Sequence, residues 1–277
     1  VIDYYARVAD AILPHLRGRP LTLRRFPEGV GNPDTSFFEK NCPKHRPEWV
    51  KTTPIYVDRR AGEIDFCLCE NKATLIWMAQ LAALELHPSL SKATRMEQPS
   101  FLVFDLDPGA PAGLVECCKV GLRVRELFGA FGLEGVPKVS GGKGMQVYFP
   151  LNTKVSYEQT NPFAKAVAQL LEAQTPKQVI SKMTKVDRRN RVLVDWSQNH
   201  QKKTTIGVYS LRAREHPTAS MPLHWSEVER AAKRGKADHL RFEIPAAIKR
   251  LEKEGDLFAP VLSLKQKLPA LERLEDS

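Results

Sequence analysis

Apolar residues recur at helical spacing from the start of the chain. Tyr5, Ala9, Ile12 and Leu16 fall on one stripe, which predicts a helix over residues 2–16 that stops short of Pro20. The period then shortens to that of strands, with runs at 21–26, at 55–57 and, past a turn at 60–62, at 64–68. Residues 72–86 are apolar almost throughout and read as a buried helix, capped by Asn71, that leads into His87. An apolar strand follows at 101–107, then a helix over 114–131 whose apolar side carries Val115, Cys118, Leu122 and Leu127. A glycine turn leads into an alternating run at 145–149, and a further helix is predicted over 157–175. One short strand ends at Asp195, and another strand-like run carries Arg212 and Arg214. Ser226 and Glu227 open a charged helix, residues 255–264 read as a packed loop, and the polar last dozen residues are expected to fray.

Strands alternating with helices place the chain in the α/β class. Its 277 residues suffice for a sizeable core, either as one large domain or as two closely packed subdomains. We read a single domain in three parts: an amino-terminal part over 1–70, a core over 71–225 and a helical part over 226–277. There is no internal repeat, no long linker, no apolar run of membrane-spanning length and no secretory or transit pattern, so the cytoplasm is the expected location. The chain opens at Val1 rather than at a methionine, as an excised fragment would. Five cysteines, with Cys117 and Cys118 adjacent, form no even framework, and free thiols in a reducing compartment are expected. Cys42, His45, Cys67 and Cys69 offer four zinc ligands in principle, but their spacing matches no standard finger.

The chemistry concentrates where acidic residues interrupt apolar strands. Asp105 and Asp107 sit two residues apart, so on a strand both carboxylates leave the same face. Like charges held side by side repel and raise each other's pKa unless a cation lies between them, and a divalent metal is the usual cation. Asp195 ends a second apolar strand and supplies a third hard oxygen donor. Three such carboxylates suit magnesium or manganese, and paired ions of that kind promote in-line phosphoryl or nucleotidyl transfer. The plainer reading of Asp105 and Asp107 alone is a strand end turning at Pro108 and Gly109.

Between the acidic strands lies Ser-Gly-Gly-Lys-Gly at 140–144. Gly141, Gly142 and Gly144 permit positive φ and close backbone approach to an anion, while Ser140 and Lys143 add a hydroxyl donor and a point charge. It is a candidate phosphate cradle but not a Walker A loop, because Pro137 replaces the first glycine and Gly144 follows the lysine. Bulk charge agrees with a phosphate-binding protein: 42 Lys and Arg against 32 Asp and Glu give a net charge of +10.

These motifs, taken in order, are similar to those of the archaeo-eukaryotic primase-polymerases, most closely the polymerase domain of bacterial ligase D. The resemblance covers nearly the whole chain. It rests on Arg-Arg-Phe-Pro-Glu-Gly-Val at 24–30, Ser-Phe-Phe-Glu-Lys-Asn at 36–41, Glu-Leu-His-Pro at 85–88 and the acidic strand at 101–109, then on the glycine turn, Val-Asp-Trp-Ser-Gln-Asn at 194–199 and Tyr-Ser-Leu-Arg-Ala-Arg at 209–214. It implies a primase-polymerase fold, with a central mixed or antiparallel sheet carrying the carboxylates, flanking helices and a second, smaller sheet region. The implied activity is template-directed nucleotidyl transfer, filling gaps and extending 3′ ends at DNA double-strand breaks in non-homologous end joining, with a leaning to ribonucleotides. A primase that starts chains unprimed, or an end-bridging module with weakened catalysis, are the alternatives.

Residue by residue, the resemblance makes Asp105, Asp107 and Asp195 the catalytic metal-binding carboxylates, holding two Mn2+ or Mg2+ ions, with His87 near the metal. It gives Ser140, Gly142, Lys143, Gln146, Arg212 and Arg214 to the nucleoside triphosphate. Arg212 and Arg214 are expected to alternate on one strand face, and arginine's planar fork suits phosphate oxygens. Where the family has a histidine this chain has Gln146, which can donate a hydrogen bond but neither carry charge nor shuttle a proton, so reduced activity is expected. DNA ends bearing a 5′-phosphate are the implied partners of Arg24, Arg25, Phe37, Phe38, Lys40, Lys44 and Arg188. Of the adjacent Phe37 and Phe38, one is expected to stack on a template base and the other to lie in the core. Ku, an ATP-dependent ligase, an end-bridging dimer and association with the nucleoid are implied in the same way.

Overall fold

A computed structural model describes residues 1–182, 184 and 186–274, so the last three residues of the polar tail lie outside the described residues. In chain order the elements begin with α1 (Ile2–Leu16), β1 (Pro20–Arg25), β2 (Phe37–Glu39), β3 (Thr52–Asp58), β4 (Gly62–Leu68), α2 (Lys72–Gln80) and β5 (Ala83–Pro88). Next come β6 (Phe101–Pro108), α3 (Leu114–Ala130), β7 (Val136–Val139), β8 (Met145–Pro150), α4 (Tyr157–Gln174), β9 (Val179–Ile180) and β10 (Val192–Asp195). The chain closes with β11 (Leu211–Arg212), β12 (Thr218–Ala219), α5 (Trp225–Arg234), α6 (Ile244–Glu254) and α7 (Pro260–Ser263). It divides into two compact units that interleave in sequence. The first takes Val1–Met96, Gln201–Ser220 and Phe242–Asp256; the second takes Glu97–His200, Met221–Arg241 and the chain from Leu257 onward.

The first unit is built on a sheet in which β1 is central, with β5 along one edge and β2 and β4 sharing the other, β4 pairing onward with β3. Helix α1 follows the predicted bounds and buries Tyr5, Ala9, Ile12 and Leu16 as expected. Its tyrosines also tie distant chain segments together, Tyr4 donating to the Tyr209 carbonyl at 2.8 Å and Tyr5 to that of Leu84 at 2.6 Å.

The predicted helix over 72–86 is corrected to a helix and a strand. Asn71 caps α2 as expected, its side-chain oxygen accepting from the Thr74 amide at 2.9 Å, but the helix ends at Gln80 and Ala82 turns the chain at φ 59°. Strand β5 is buried at every residue, and a strand covered on both faces is as uniformly apolar as a buried helix, so periodicity could not separate the two.

The cysteine expectation also changes. Cys42 and Cys67 form a disulfide across 25 residues, joining the segment after β2 to β4, while Cys69, Cys117 and Cys118 are buried thiols. Bonded sulfurs cannot serve as thiolate ligands, which removes the zinc reading. Burial pushes the Cys69 and Cys118 thiols up to about 12.

In the second unit the strands run in the order β7-β8-β6-β10-β9, antiparallel throughout except for the parallel pair of β9 and β10. Helices α3 and α4 pack on this sheet. The buried face of α3 is Cys117, Cys118, Val120, Gly121, Val124 and Phe128 rather than the predicted stripe, of which only Cys118 is fully buried. Gly121 explains the rotation. A Cβ there would stand 3.2 Å from the Met145 side chain, so the helix turns its smallest residue to the sheet in order to approach it. The predicted loop at 255–264 contains the short α7 and buries Phe258 and Val261.

Candidate active site

Strand β6 alternates, and its two faces have unlike neighbours. Phe104 meets Phe128 of α3 edge-on at 5.4 Å, and Phe128 lies flat on Phe149 at 3.8 Å, so the even-numbered residues are welded to the helices. Asp105 and Asp107 face the other way. In register, Asp105 stands opposite both Gln146 on β8 and Asp195 on β10, and Gln146 stands opposite Lys138 on β7. Directly paired residues share a face, so Lys138, Gln146, Asp105 and Asp195 form one polar row across four strands, with Asp107 beside it.

Each member is held by its neighbours. Asp195 ends β10 and caps the turn Trp196–Gln198: its carboxylate accepts from the Ser197 backbone amide at 2.9 Å, the Ser197 hydroxyl at 2.7 Å and the Gln198 side-chain amide at 2.9 Å. The buried Asn199 extends the pairing beyond Asp195, accepting from the Val103 amide at 2.8 Å and donating to the Val103 carbonyl at 2.7 Å. That pair of hydrogen bonds to β6 fixes the register of Asp195 against Asp105, a role not legible in the motif around it. Lys138 is fully buried, its ammonium 5.5 Å from the Tyr148 ring centroid.

Gln146 is buried too, and it faces the row rather than solvent. Its oxygen accepts from the Tyr148 hydroxyl at 3.2 Å, while its side chain hydrogen-bonds Asp105 and favours the ionised carboxylate. The row is otherwise short of positive charge at its centre. Burial first, then the negative charges of Asp107 and Asp195, push Asp105 up to about 7, with the Gln146 hydrogen bond and the Lys138 charge opposing.

The glycine turn lies against the same strand. Only Gly141 of its three glycines has positive φ, at 73°. Gly144 is needed for another reason: a Cβ there would stand 2.1 Å from the Leu106 carbonyl oxygen and 3.4 Å from Asp107 Oδ1. The turn is therefore pressed against β6 between the two aspartates. Ser140 closes it, donating to the Gly144 carbonyl at 3.0 Å and accepting from the Gly142 amide at 3.2 Å, and Gly142 and Lys143 are exposed. Arg188 ends a short turn before β10 and is half-buried.

The remaining expected residues belong to the first unit. Its centre is Glu85, which lies in the Glu-Leu-His-Pro run but has no role assigned to it above. This carboxylate, 1% exposed, accepts from His87 Nε2 at 3.0 Å, from Arg212 at 3.1 Å and from the Ala213 amide at 3.1 Å, with Arg24 at 3.7 Å. Burial opposes ionisation, yet the His87 hydrogen bond and the Arg212 charge hold Glu85 below its ordinary value. Burial keeps His87 low and therefore neutral, helped by the Arg212 and Arg24 charges. With the Nε2 proton given to Glu85, Nδ1 carries the lone pair, as when a carboxylate orients a metal-binding histidine.

The expected alternation of Arg212 and Arg214 does not hold, because β11 ends at Arg212 and Arg214 lies exposed in the following bend. The expectation that one of Phe37 and Phe38 is core is also corrected: they are 42% and 59% exposed. They do point to opposite faces, but β2 is an edge strand covered on neither. Each ring instead lies against an arginine of β1, Phe37 at 5.3 Å from Arg25 and Phe38 at 5.3 Å from Arg24. Phe38 also meets the His87 ring edge-on at 5.6 Å. Arg25 is paired with Glu39 at 3.0 Å, while Lys40 and Lys44 are exposed.

The donor set of the second unit fits a hard divalent cation: three carboxylates on one sheet face, the central one disfavoured as an anion by desolvation first and then by the other two. Among the described residues no three His, Cys, Asp or Glu side chains close into a ready cage. Both oxygens of Asp195 accept its own capping bonds.

Known proteins share this arrangement of sequence. The family model for the LigD primase-polymerase domain matches residues 1–258. The multifunctional non-homologous end joining protein LigD of Mycolicibacterium smegmatis is 38% identical over 263 residues, covering 94% of this chain and 33% of that relative. The bifunctional LigD of Bacillus subtilis is 31% identical over 255 residues, covering 92% of this chain and 39% of that protein. This chain thus spans roughly a third of the length of the curated relatives it matches. Among solved structures, the polymerase domain of Mycobacterium tuberculosis ligase D in complex with DNA superposes with a TM-score of 0.85 at 36% identity, covering 96% of this chain and 92% of that one. A family match over residues 1–258, relatives above 30% identity and a shared fold lead to one conclusion: the chain belongs to the LigD primase-polymerase domain family.

Proposed function

We propose that this protein is a template-directed nucleotidyltransferase that fills gaps and extends 3′ ends at DNA double-strand breaks in non-homologous end joining. The observation that carries the proposal is the row in which Asp195 stands opposite Asp105, with Asp107 on the same face and the Ser140–Gly144 turn pressed against that strand. Asp105, Asp107 and Asp195 are the proposed holders of two manganese or magnesium ions, with His87 a further ligand through Nδ1. Divalent cations bound by such oxygens supply charge neutralisation and Lewis acidity to a triphosphate. Asp195 orients the primer 3′-hydroxyl. Ser140, Gly142 and Lys143 of the turn take phosphate oxygens, the Gly142 amide exchanging its bond to Ser140 for one to phosphate, and Arg212 and Arg214 add guanidinium donors.

Gln146 acts through Asp105: its buried amide stabilises the ionised carboxylate, a task that needs a donor and not a charge. Its position therefore supports retained catalysis rather than a purely end-bridging role. Phe37 and Phe38, each backed by an arginine, offer stacking surfaces to template bases, and Arg24, Arg25, Lys40, Lys44 and Arg188 hold backbone phosphates. Ku, an ATP-dependent ligase, bridging of ends by two copies, nucleoid association and a preference for ribonucleotides belong to this proposal through family membership.

The test is incorporation on gapped DNA with a recessed primer and a downstream 5′-phosphate, in manganese, with NTPs or dNTPs, beside an Asp105→Ala control. Template-matched extension that the control abolishes is expected. Tight, salt-sensitive binding without extension would instead favour the end-bridging module.

A further inference from the structure

A cavity of about 380 Å³ opens in the first unit, and Lys40 is the residue it shares with the DNA contacts proposed above. It lies within the range of small-ligand sites, about 300–1,000 Å³. Its walls are apolar: Ile55 and Tyr56 from β3, Phe66 from β4 and Met96. Lys40, Lys202 and Lys203 also line it, and among the described residues no carboxylate does. Lys202 is held there by donating to the Val57 carbonyl at 2.7 Å. An apolar slot edged by cations selects an anion with a flat apolar part.

Two further observations narrow the ligand. Thr22 lines the cavity at 3% exposure, and its hydroxyl has no hydrogen-bond partner among the described residues. Leaving a buried hydroxyl unpaired costs about 1–3 kcal/mol, so such a group calls for a partner from outside the chain. A nucleobase offers one on its polar edge. In addition, Tyr56 is 58% exposed, an aromatic face held beside lysines as in proteins that stack single-stranded bases.

The position agrees. Thr22 stands opposite His87, and Arg24, two residues along and therefore on the same face, stands opposite Phe38. The cavity thus continues the sheet face that carries Phe38, away from the arginine end of β1.

We propose that this cavity receives one unpaired nucleotide of the template strand, its base in the apolar slot against Thr22 and its phosphate on Lys40, Lys202 and Lys203. The proposal rests on the DNA-directed reading given under Proposed function. It adds a second point of strand contact, distinct from stacking on Phe38.

The test uses fluorescence anisotropy on a recessed-end duplex with a single-stranded template overhang, in which one abasic nucleotide is moved stepwise along the overhang. One abasic position is expected to weaken binding by about tenfold, the contribution of one stacked base. Tyr56→Ala, whose exposed ring makes its loss tolerable to the fold, should bind the intact overhang about tenfold more weakly and lose the sensitivity at that position. Phe38→Ala should keep it and lose sensitivity elsewhere. Thr22→Val, nearly the same shape, should change which base is preferred there. No sensitive position, or one that Tyr56→Ala leaves unchanged, overturns the pocket while leaving the polymerase reading intact. Failure to bind any of these DNAs overturns both.

Discussion

Glu85 and Asp105 are both carboxylates on strands, the first buried and the second half-buried, and the protein treats them in opposite ways. Around Glu85 it gathers a histidine N–H, a backbone amide and two guanidinium groups, and the acid is held below its ordinary value. Around Asp105 it places two more aspartates, and desolvation first, then their charges, push the acid up to about 7. The folded chain completes the first charge and leaves the second unfinished. A buried carboxylate with its counter-charges in place is architecture, whereas one surrounded by like charges is stable as an anion only when something cationic arrives.

The largest effect is expected from breaking the completed side. Glu85→Ala removes the shared partner of Arg212, His87 and the Ala213 amide, and should cost about 3–5 kcal/mol in urea unfolding, the usual result of orphaning a buried charge network. A loss below about 1 kcal/mol would mean that water replaces Glu85 freely and that the hub is not structural.

Asp105→Asn tests the unfinished side and should leave the fold intact. Nucleotide incorporation should fall by about 10²–10³-fold or more, the scale of removing an electrostatic contact to the reacting phosphate. The stability effect has the opposite sign. Asp105 is raised to about 7 in the folded chain, above the roughly 3.9 of an unfolded aspartate. The native state therefore binds more protons than the unfolded state between those values, and without divalent ions stability should decline as pH rises from about 4 through about 7. Asp105→Asn should flatten that decline, and manganese should oppose it in the wild type. A thermal-melt series showing the same pH slope for both proteins would remove Asp105 as its source.

A smaller effect is expected from Gln146. Gln146→Leu deletes the hydrogen bond to Asp105 and should weaken manganese affinity about 10- to 100-fold, the range for outer-shell partners of metal ligands. Gln146→His restores a donor and should recover most of it. Manganese titration by electron paramagnetic resonance reads this without turnover. Equal affinity in all three proteins would leave Gln146 a packing residue.

How much of the contrast could be seen in the sequence follows from the same physics. The Asp105 side was legible because a charge that the chain does not neutralise interrupts an apolar strand, and three such interruptions with a glycine turn form a pattern. The bounds of α1 were legible for the corresponding reason, an apolar stripe against one core. Glu85 was hidden because its partners come from 127 and 128 residues away and from the neighbouring strand. The break between α2 and β5 was hidden because burial on both faces erases periodicity. The Cys42–Cys67 bond was hidden because five cysteines do not declare a pairing. The exposure of both phenylalanines followed from β2 lying at a sheet edge, a fact of topology rather than of local pattern.

The smallest predicted effect sharpens the comparison from within the completed side. Arg24 is the outermost cation of the Glu85 hub, 29% exposed and 3.7 Å from the carboxylate. At that exposure and distance, Arg24→Gln should cost less than about 1 kcal/mol of stability. Its trace should appear at His87 instead. Burial is the main cause of that histidine's low pKa, and the Arg212 and Arg24 charges add to it against the pull of Glu85. Removing one positive charge relieves the protonated imidazole, so the His87 titration midpoint followed by NMR should move up. A midpoint that stays still or falls would mean that solvent screens Arg24 from the hub, leaving Glu85 completed by Arg212, His87 and the Ala213 amide alone.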